Sequence, residues 1–88
     1  MVGTIGPETQ LRKALTLTLH GQNRDAIGSF EALTKKFPDS SLVRDNIVKS
    51  NIEENLRNEV DRLYQRRAYW DIVKFYTQYR DQYFRKFP

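Results

Sequence analysis

The sequence predicts an all-α protein of about four antiparallel helices. Apolar residues recur three and four positions apart along most of the chain, which is the helical period. The 88 residues include only four glycines and three prolines, too few turn residues for a many-stranded sheet. The chain is 39% hydrophobic and 30% charged, so it is apolar enough for one domain with a modest core.

The first helix is predicted from about Pro7 to His20. Proline at the first helical position loses no needed hydrogen-bond donor, and Glu8 lies near the positive end of the helix dipole. The alternation in Leu15–Leu19 also fits a strand, but that strand would be isolated. Gly21 is expected to end the helix, because glycine readily adopts the left-handed conformation found after helices. Asn23 is then placed to cap the next helix.

The second helix is predicted to end at Phe37, because the residue before Pro38 is pushed out of the helical region. Its apolar stripe consists of Ala26, Ile27, Phe30, Leu33 and Phe37. Asp39, Ser40 or Ser41 can then cap a new helix by accepting a hydrogen bond from an unpaired backbone N–H. The chain therefore stops one helix and starts another within a few residues.

The third helix is predicted to be elongated, because no glycine or proline occurs from Leu42 to Arg66. One long helix is the simplest interpretation. However, successive steps of four residues drift around the helix axis by about 40° each. The two ends of the apolar stripe therefore cannot face the same neighbour, and a bend or break is expected near Ser50-Asn51.

The fourth helix follows a predicted chain reversal near residue 67, and it is apolar on more than one side. One stripe consists of Tyr69, Ile72, Val73, Tyr76, Tyr79 and Tyr83. Trp70, Phe75 and Phe84 lie largely off that stripe. A helix that is apolar on more than one side is normally buried on more than one side. These three residues are therefore predicted to contact a second copy of the chain, as in a homodimer, or a following repeat. For Trp70 and Phe84, simple burial by the turn is the alternative.

The chain also repeats itself with an offset of 46 residues. Eight positions keep their chemical character under this shift. The superposed pairs are Ala14/Val60, Leu17/Leu63, Asp25/Asp71, Ala26/Ile72, Ile27/Val73, Phe30/Tyr76, Leu33/Tyr79 and Phe37/Tyr83. Each half is therefore predicted to be a helix, a tight turn and a second helix.

The first half resembles the tetratricopeptide repeat, a helical hairpin of about 34 residues. The family's small residue, large apolar residue, glycine, alanine, aromatic residue and proline are matched by Ala14, Leu17, Gly21, Ala26, Phe30 and Pro38, within residues 7–40. In the second half, Arg67, Ile72 and Phe84 replace the family's glycine, alanine and proline. The resemblance is therefore strong in the first unit and degenerate in the second.

This resemblance implies two stacked hairpins, residues 7–37 and 40–87, in a single domain spanning 7–88. Residues 1–6 are expected to be a flexible N-terminus or a remnant of expression. The internal offset of 46 residues exceeds the family's period by 12. If helical, this insertion lengthens the third helix by ~18 Å.

The resemblance also implies non-enzymatic binding of a peptide or a partner helix on the face formed by the first helix of each unit. By position, this face includes Leu11, Leu15, Thr18, Arg57, Asp61, Tyr64 and Gln65. Alternatively, Leu11 and Leu15 pack under the third helix and bind nothing. The net charge of +4 and the pI of about 9.6 favour an acidic protein or peptide as the partner.

Nucleic-acid binding through the basic and aromatic C-terminal third is a weaker alternative. Arginines beside exposed aromatic rings can neutralise phosphates and stack on bases. However, Asp61, Asp71 and Asp81 dilute the positive charge, and most of the aromatic residues have the spacing of core residues. A solvated basic face is the favoured interpretation.

An enzyme, a metal centre and a cofactor are not predicted. The chain has no cysteine and one histidine, His20, so it lacks a metal-ligand set and an oriented nucleophile and base. No apolar run approaches the ~18 residues that span a bilayer, so membrane insertion is not expected. The cytoplasm is one expected location. The other, if the chain is part of a longer bacterial protein, is the periplasm or cell envelope, because "KKFPDSSL" resembles a junction in tetratricopeptide-type envelope proteins.

Overall fold

The structure is a computed structural model of the chain, and it describes residues 6–79. Within this range every regular element is a helix and no strand is present, which confirms the all-α prediction. The helices are α1 (Pro7–Leu19), α2 (Asn23–Lys36), α3 (Ser41–Arg44), α4 (Ile47–Gln65) and α5 (Tyr69–Tyr79). Tyr83 and Phe84, which were assigned to the last helix, lie outside the described residues. The chain divides into two compact units, residues 1–56 and 57–88.

In the first unit, α1 and α2 pack against each other as a hairpin. Gln10 of α1 donates a hydrogen bond from Nε2 to Ser29 Oγ of α2, at 3.3 Å. The buried apolar residues of this unit are Ala14, Ala26, Ile27, Phe30, Leu33, Val48, Ile52 and Leu56. The α2 stripe is thus buried as predicted up to Leu33, and Phe37 is half-buried. From α1, only Ala14 is fully enclosed.

The predicted helix ends near Pro38 agree with the structure. α2 ends at Lys36, and the N–H of Phe37 donates to the Leu33 carbonyl at 2.8 Å. Ser40 caps α3, since its Oγ accepts from the Leu42 N–H at 3.2 Å. The assignment of Asn23 as a cap is wrong by one residue. Gln22 is the N-cap and Asn23 is the buried first residue of α2.

The prediction of one long third helix is wrong. α3 ends at Arg44, and Asn46 adopts a left-handed φ of 63° before α4 begins at Ile47. Asparagine visits this conformation more readily than most residues, because its short polar side chain hydrogen-bonds locally. The break therefore occurs at Asn46 rather than at Ser50-Asn51. The break also interrupts the drifting apolar stripe, and the buried part of that stripe begins at Val48, in the first turn of α4.

The turns after α1 and after α4 have the same backbone hydrogen bonds. The N–H groups of Gly21 and Gln22 donate to the carbonyls three and five residues earlier, at 3.0 and 2.9 Å. Those of Arg67 and Ala68 do the same, at 2.9 Å in both cases. This pair of bonds is the Schellman motif, which requires a left-handed residue after the helix. Gly21 has φ 75° and Arg67 has φ 57°, so the 46-residue offset relates the two turns residue by residue.

Substitutions at Gly21 and Gly28 are expected to change stability in opposite directions. Gly21→Ala should destabilise the chain by about 1 kcal/mol, because a Cβ is strained at positive φ. Gly28→Ala should stabilise it by about 0.5–1 kcal/mol, because Gly28 lies inside α2. No atom lies within 4 Å of the added Cβ at either site, so both effects come from the backbone. Urea unfolding followed by circular dichroism measures both variants, and shifts of the same sign would contradict this account.

Candidate interaction surface

The predicted binding residues of the first unit all lie on α1, but they are poorly available to a partner. Leu11 and Leu15 are half-buried. The Thr18 hydroxyl bonds twice to the side chain of Asn55: Thr18 Oγ1 accepts from Asn55 Nδ2 at 3.0 Å and donates to Asn55 Oδ1 at 3.2 Å. Asn55 is fully buried. Thr18 therefore belongs to an internal polar contact between α1 and α4, and a ligand would have to compete with that contact.

The predicted binding residues of the second unit share one exposed side of α4. Arg57, Asp61, Tyr64 and Gln65 are all exposed. Their spacing of three, four and seven or eight residues places them along a single face. Tyr64, at the C-terminal end of this face, is the largest of the four.

The buried side of α5 includes Tyr79 and, in part, Ile72 of the predicted stripe, but it is shifted toward Phe75. Phe75 is fully buried and Tyr79 nearly so, with ring centroids 4.9 Å apart. Tyr69, Val73 and Tyr76 of the predicted core stripe are exposed. Both arrangements satisfy the helical period, because apolar residues cover most of the circumference of α5, so spacing alone does not choose between them.

This change of face corrects one of the predicted self-association residues. Phe75 has no exposed surface, so its assignment to a contact with a second copy is wrong. Trp70 is 77% exposed and remains available for such a contact. Phe84, the third residue of that prediction, lies outside the described residues.

Large exposed apolar side chains concentrate at the turn between α4 and α5 and along α5. Of the seven such side chains within residues 6–79, five lie here. We call them the aromatic surface: Tyr64, Tyr69, Trp70, Val73 and Tyr76. The rings of Tyr64 and Tyr69 meet edge to face across the turn, with centroids 6.0 Å apart. Large exposed apolar patches are uncommon on monomers and usually mark an interaction site.

An ion pair on α4 lies next to this surface in the sequence. Arg62 donates from Nε and Nη2 to the two carboxylate oxygens of Glu59, at 2.9 and 2.8 Å. Glu59 is only 2% exposed. The hydrogen bonds with Glu59, and then its negative charge, raise the pKa of Arg62 above its ordinary value, and the charge of Asp71 adds to this effect. The positive charge of Arg62 is therefore largely engaged by its own unit.

Three other cations of the second unit are not paired in the way that Arg62 is. Arg66, Arg67 and Lys74 are exposed, and no ion pair joins them to a side chain within residues 6–79. Arg66 and Arg67 form the turn just before Tyr69, and Lys74 lies one helical turn after Trp70, four residues along α5. The aromatic surface is therefore bordered by basic groups, which the sequence analysis had assigned to a solvated face.

Other kinds of site are not seen in the described part of the chain. No group of three His, Cys, Asp or Glu side chains there is arranged to hold a metal ion. Among those same residues, no helix has both the length and the apolar character needed to cross a membrane. Comparison with protein-family models, curated proteins and solved structures gave no match to this chain.

Proposed function

We propose that this chain is a non-enzymatic protein-interaction module that binds a partner protein through the aromatic surface. The observation that carries the proposal is the exposure of Trp70 together with Tyr64, Tyr69, Val73 and Tyr76. Tryptophan and tyrosine are enriched among the residues that dominate binding energy at protein interfaces. Leaving these four aromatic side chains and Val73 in water is unfavourable, and a partner that covers them recovers the hydrophobic contribution.

The resemblance to the tetratricopeptide repeat supports this function, but the proposed site differs from the binding face of that family. Proteins of that family usually bind peptides or partner helices, and the two Schellman turns of this chain match at the repeat offset. The family's binding face would use Leu11, Leu15 and Thr18, which are half-buried or engaged. Tyr64 is the one residue common to that face and to the aromatic surface.

Self-association through the same surface is the second candidate. A second copy of the chain would also cover the exposed Trp70 and Tyr69. Static light scattering over a range of protein concentrations separates the two functions. A mass that doubles with concentration, and that Trp70→Ser returns to the monomer value, supports self-association.

Loss of Trp70 is expected to weaken partner binding by at least about 30-fold, since interface tryptophans often contribute 2 kcal/mol or more. Peptides selected from a displayed library against the full chain provide the ligands. Fluorescence anisotropy of the labelled peptides then compares wild type with Trp70→Ser. Far-ultraviolet circular dichroism checks that the variant keeps its helical content.

Leu19→Ser is the matched control for this experiment. Leu19 is 86% exposed at the end of α1 and lies outside the aromatic surface. The substitution removes a large exposed apolar side chain that is not part of the proposed site, so binding should stay within about 2-fold of wild type. The proposal is wrong if no peptide sequence is enriched, or if Leu19→Ser weakens binding as much as Trp70→Ser.

A further inference from the structure

The exposed side chains of α5 form a stripe with the geometry of a helix-binding surface. Tyr69, Val73 and Tyr76 are separated by four and three residues, so they lie along one side of the helix. Trp70 lies beside this stripe, three residues before Val73. From Tyr69 to Tyr76 the stripe extends for about 10 Å along the helix axis. This length matches two turns of a partner helix with apolar anchors at i, i+3 or i+4, and i+7.

The charges around this stripe are unequal. Arg66, Arg67 and Lys74 are exposed and have no ion-pair partner among the side chains between Gly6 and Tyr79. The buried carboxylate of Glu59 is bonded to Arg62. Asp71 lies close enough to Arg62 for its charge to be felt there. Among the described residues, the border of the aromatic surface therefore carries more positive than negative charge, even with Asp61 included.

We propose that the aromatic surface binds an acidic amphipathic segment of another protein, with Arg66, Arg67 and Lys74 pairing with its carboxylates. This inference rests on the proposed function and names the partner's chemistry. The apolar residues of the segment cover Trp70 and the α5 stripe, and its acidic residues lie along the basic border. The net charge of +4 on the whole chain favours the same kind of partner at long range.

A second copy of the chain fits this surface less well. A two-fold dimer brings the same patch of both subunits together. The positively charged border of one copy would then lie in the same interface as that of the other, and this like charge is unfavourable in a desolvated contact. A single-stranded nucleic acid also fits less well. The edge-to-face contact between Tyr64 and Tyr69 occupies a ring face on which a base would stack.

The test uses the full chain and two synthetic helical peptides of about 16 residues, long enough for helix formation. Both carry leucine at i, i+3, i+4 and i+7. The first has glutamate at its other surface positions, and its twin has lysine there. Trp70 is the only tryptophan of the chain, so its emission reports binding directly. We expect the acidic peptide to shift the emission to shorter wavelength and to bind at least about 10-fold more tightly than its twin.

This preference should weaken as salt is raised, because added ions screen exposed charges. Arg66→Glu/Lys74→Glu should abolish or reverse it. Arg12→Glu/Lys13→Glu is the control, since it changes the net charge equally at two exposed positions of α1 and should keep a preference for the acidic peptide. Arg66→Gln/Lys74→Gln, which should reduce the preference, provides a milder variant if the charge reversal unfolds the chain.

Each other outcome overturns a distinct claim. Equal binding of the two peptides, with Trp70→Ser still abolishing it, overturns the acidic partner and leaves the proposed function standing. Equal loss of preference in the Arg12/Lys13 control overturns the role of the basic border. Tighter binding of single-stranded RNA, or an emission shift on raising protein concentration alone, overturns the acidic protein segment as the ligand. Peptide binding that Trp70→Ser leaves unchanged overturns the proposed function itself.

Discussion

Phe30→Ala is expected to destabilise the chain by about 3–5 kcal/mol, the largest effect of any single substitution considered. Phe30 is fully buried in the first unit, on the α2 stripe with Ile27 and Leu33. Truncation removes the transfer free energy of the ring and leaves a cavity that the surrounding helices only partly fill. A chain of this size has a total stability of only about 5–10 kcal/mol, so much of that margin would be lost.

Urea unfolding followed by circular dichroism at the helical band measures this effect. Leu19→Ala is the matched control, because it also shortens a large apolar side chain but at an exposed position of α1. Its effect should stay within about 0.5 kcal/mol. If the two variants unfold at the same urea concentration, Phe30 is not a core residue.

The buried contact between Asn55 and Thr18 gives the second large effect. Asn55 Nδ2 donates to Thr18 Oγ1 at 3.0 Å and to the Asn51 carbonyl at 2.8 Å, and the Asn55 side chain is fully enclosed. Asn55→Ala should destabilise the chain by about 2 kcal/mol, because it removes these bonds and leaves a small cavity. Replacing both partners, as in Asn55→Leu/Thr18→Val, should be nearly neutral, since no polar group is then left without a partner.

A double-mutant cycle over Asn55 and Thr18 checks this account. The cycle should return a coupling free energy of about 0.5–3 kcal/mol, as expected for side chains in direct contact. Asn58→Ala is the control, because Asn58 is exposed on the same helix. Strictly additive effects of the two substitutions would mean that the contact does not form in solution.

The helix ends were largely predictable, because local chemistry determines them. Pro38 excludes the helical conformation from Phe37, and Ser40 supplies a capping oxygen, so α2 ends and α3 begins where expected. The break at Asn46 was placed wrongly because it depends on one left-handed residue that is neither glycine nor proline. Asparagine gives only a weak local signal for that conformation.

The core was predictable where its residues are apolar and not where they are polar. Asn55 and Glu59 are buried, yet their side chains give no apolar signal. The positions of Asn55 and Glu59 in the sequence do, however, indicate that they are buried. With Ile52, Leu56 and Leu63 they continue one stripe at steps of three and four residues, so they belong to the buried side of α4.

Only part of the candidate site could be predicted from the sequence. Tyr64 and Trp70 were proposed as interaction residues for two different reasons, and both are exposed. Phe75 was misplaced because the aromatic residues of α5 leave its buried side undetermined. The basic border was missed because charged residues usually line solvated faces. The sequence does not show that Arg62 is bonded to Glu59 while Arg66 and Lys74 are not paired in this way.

The left-handed Arg67 after α4 links the folding of its turn to the binding of a ligand by the second unit. With Arg67 in place of glycine, the closed turn is disfavoured by about 1 kcal/mol relative to the turn at Gly21. If the packing is equal, the turn that joins α4 to α5 therefore unfolds locally more readily than the same turn with glycine at position 67. A ligand that binds only the closed form draws the population toward it, so binding and local folding reinforce each other.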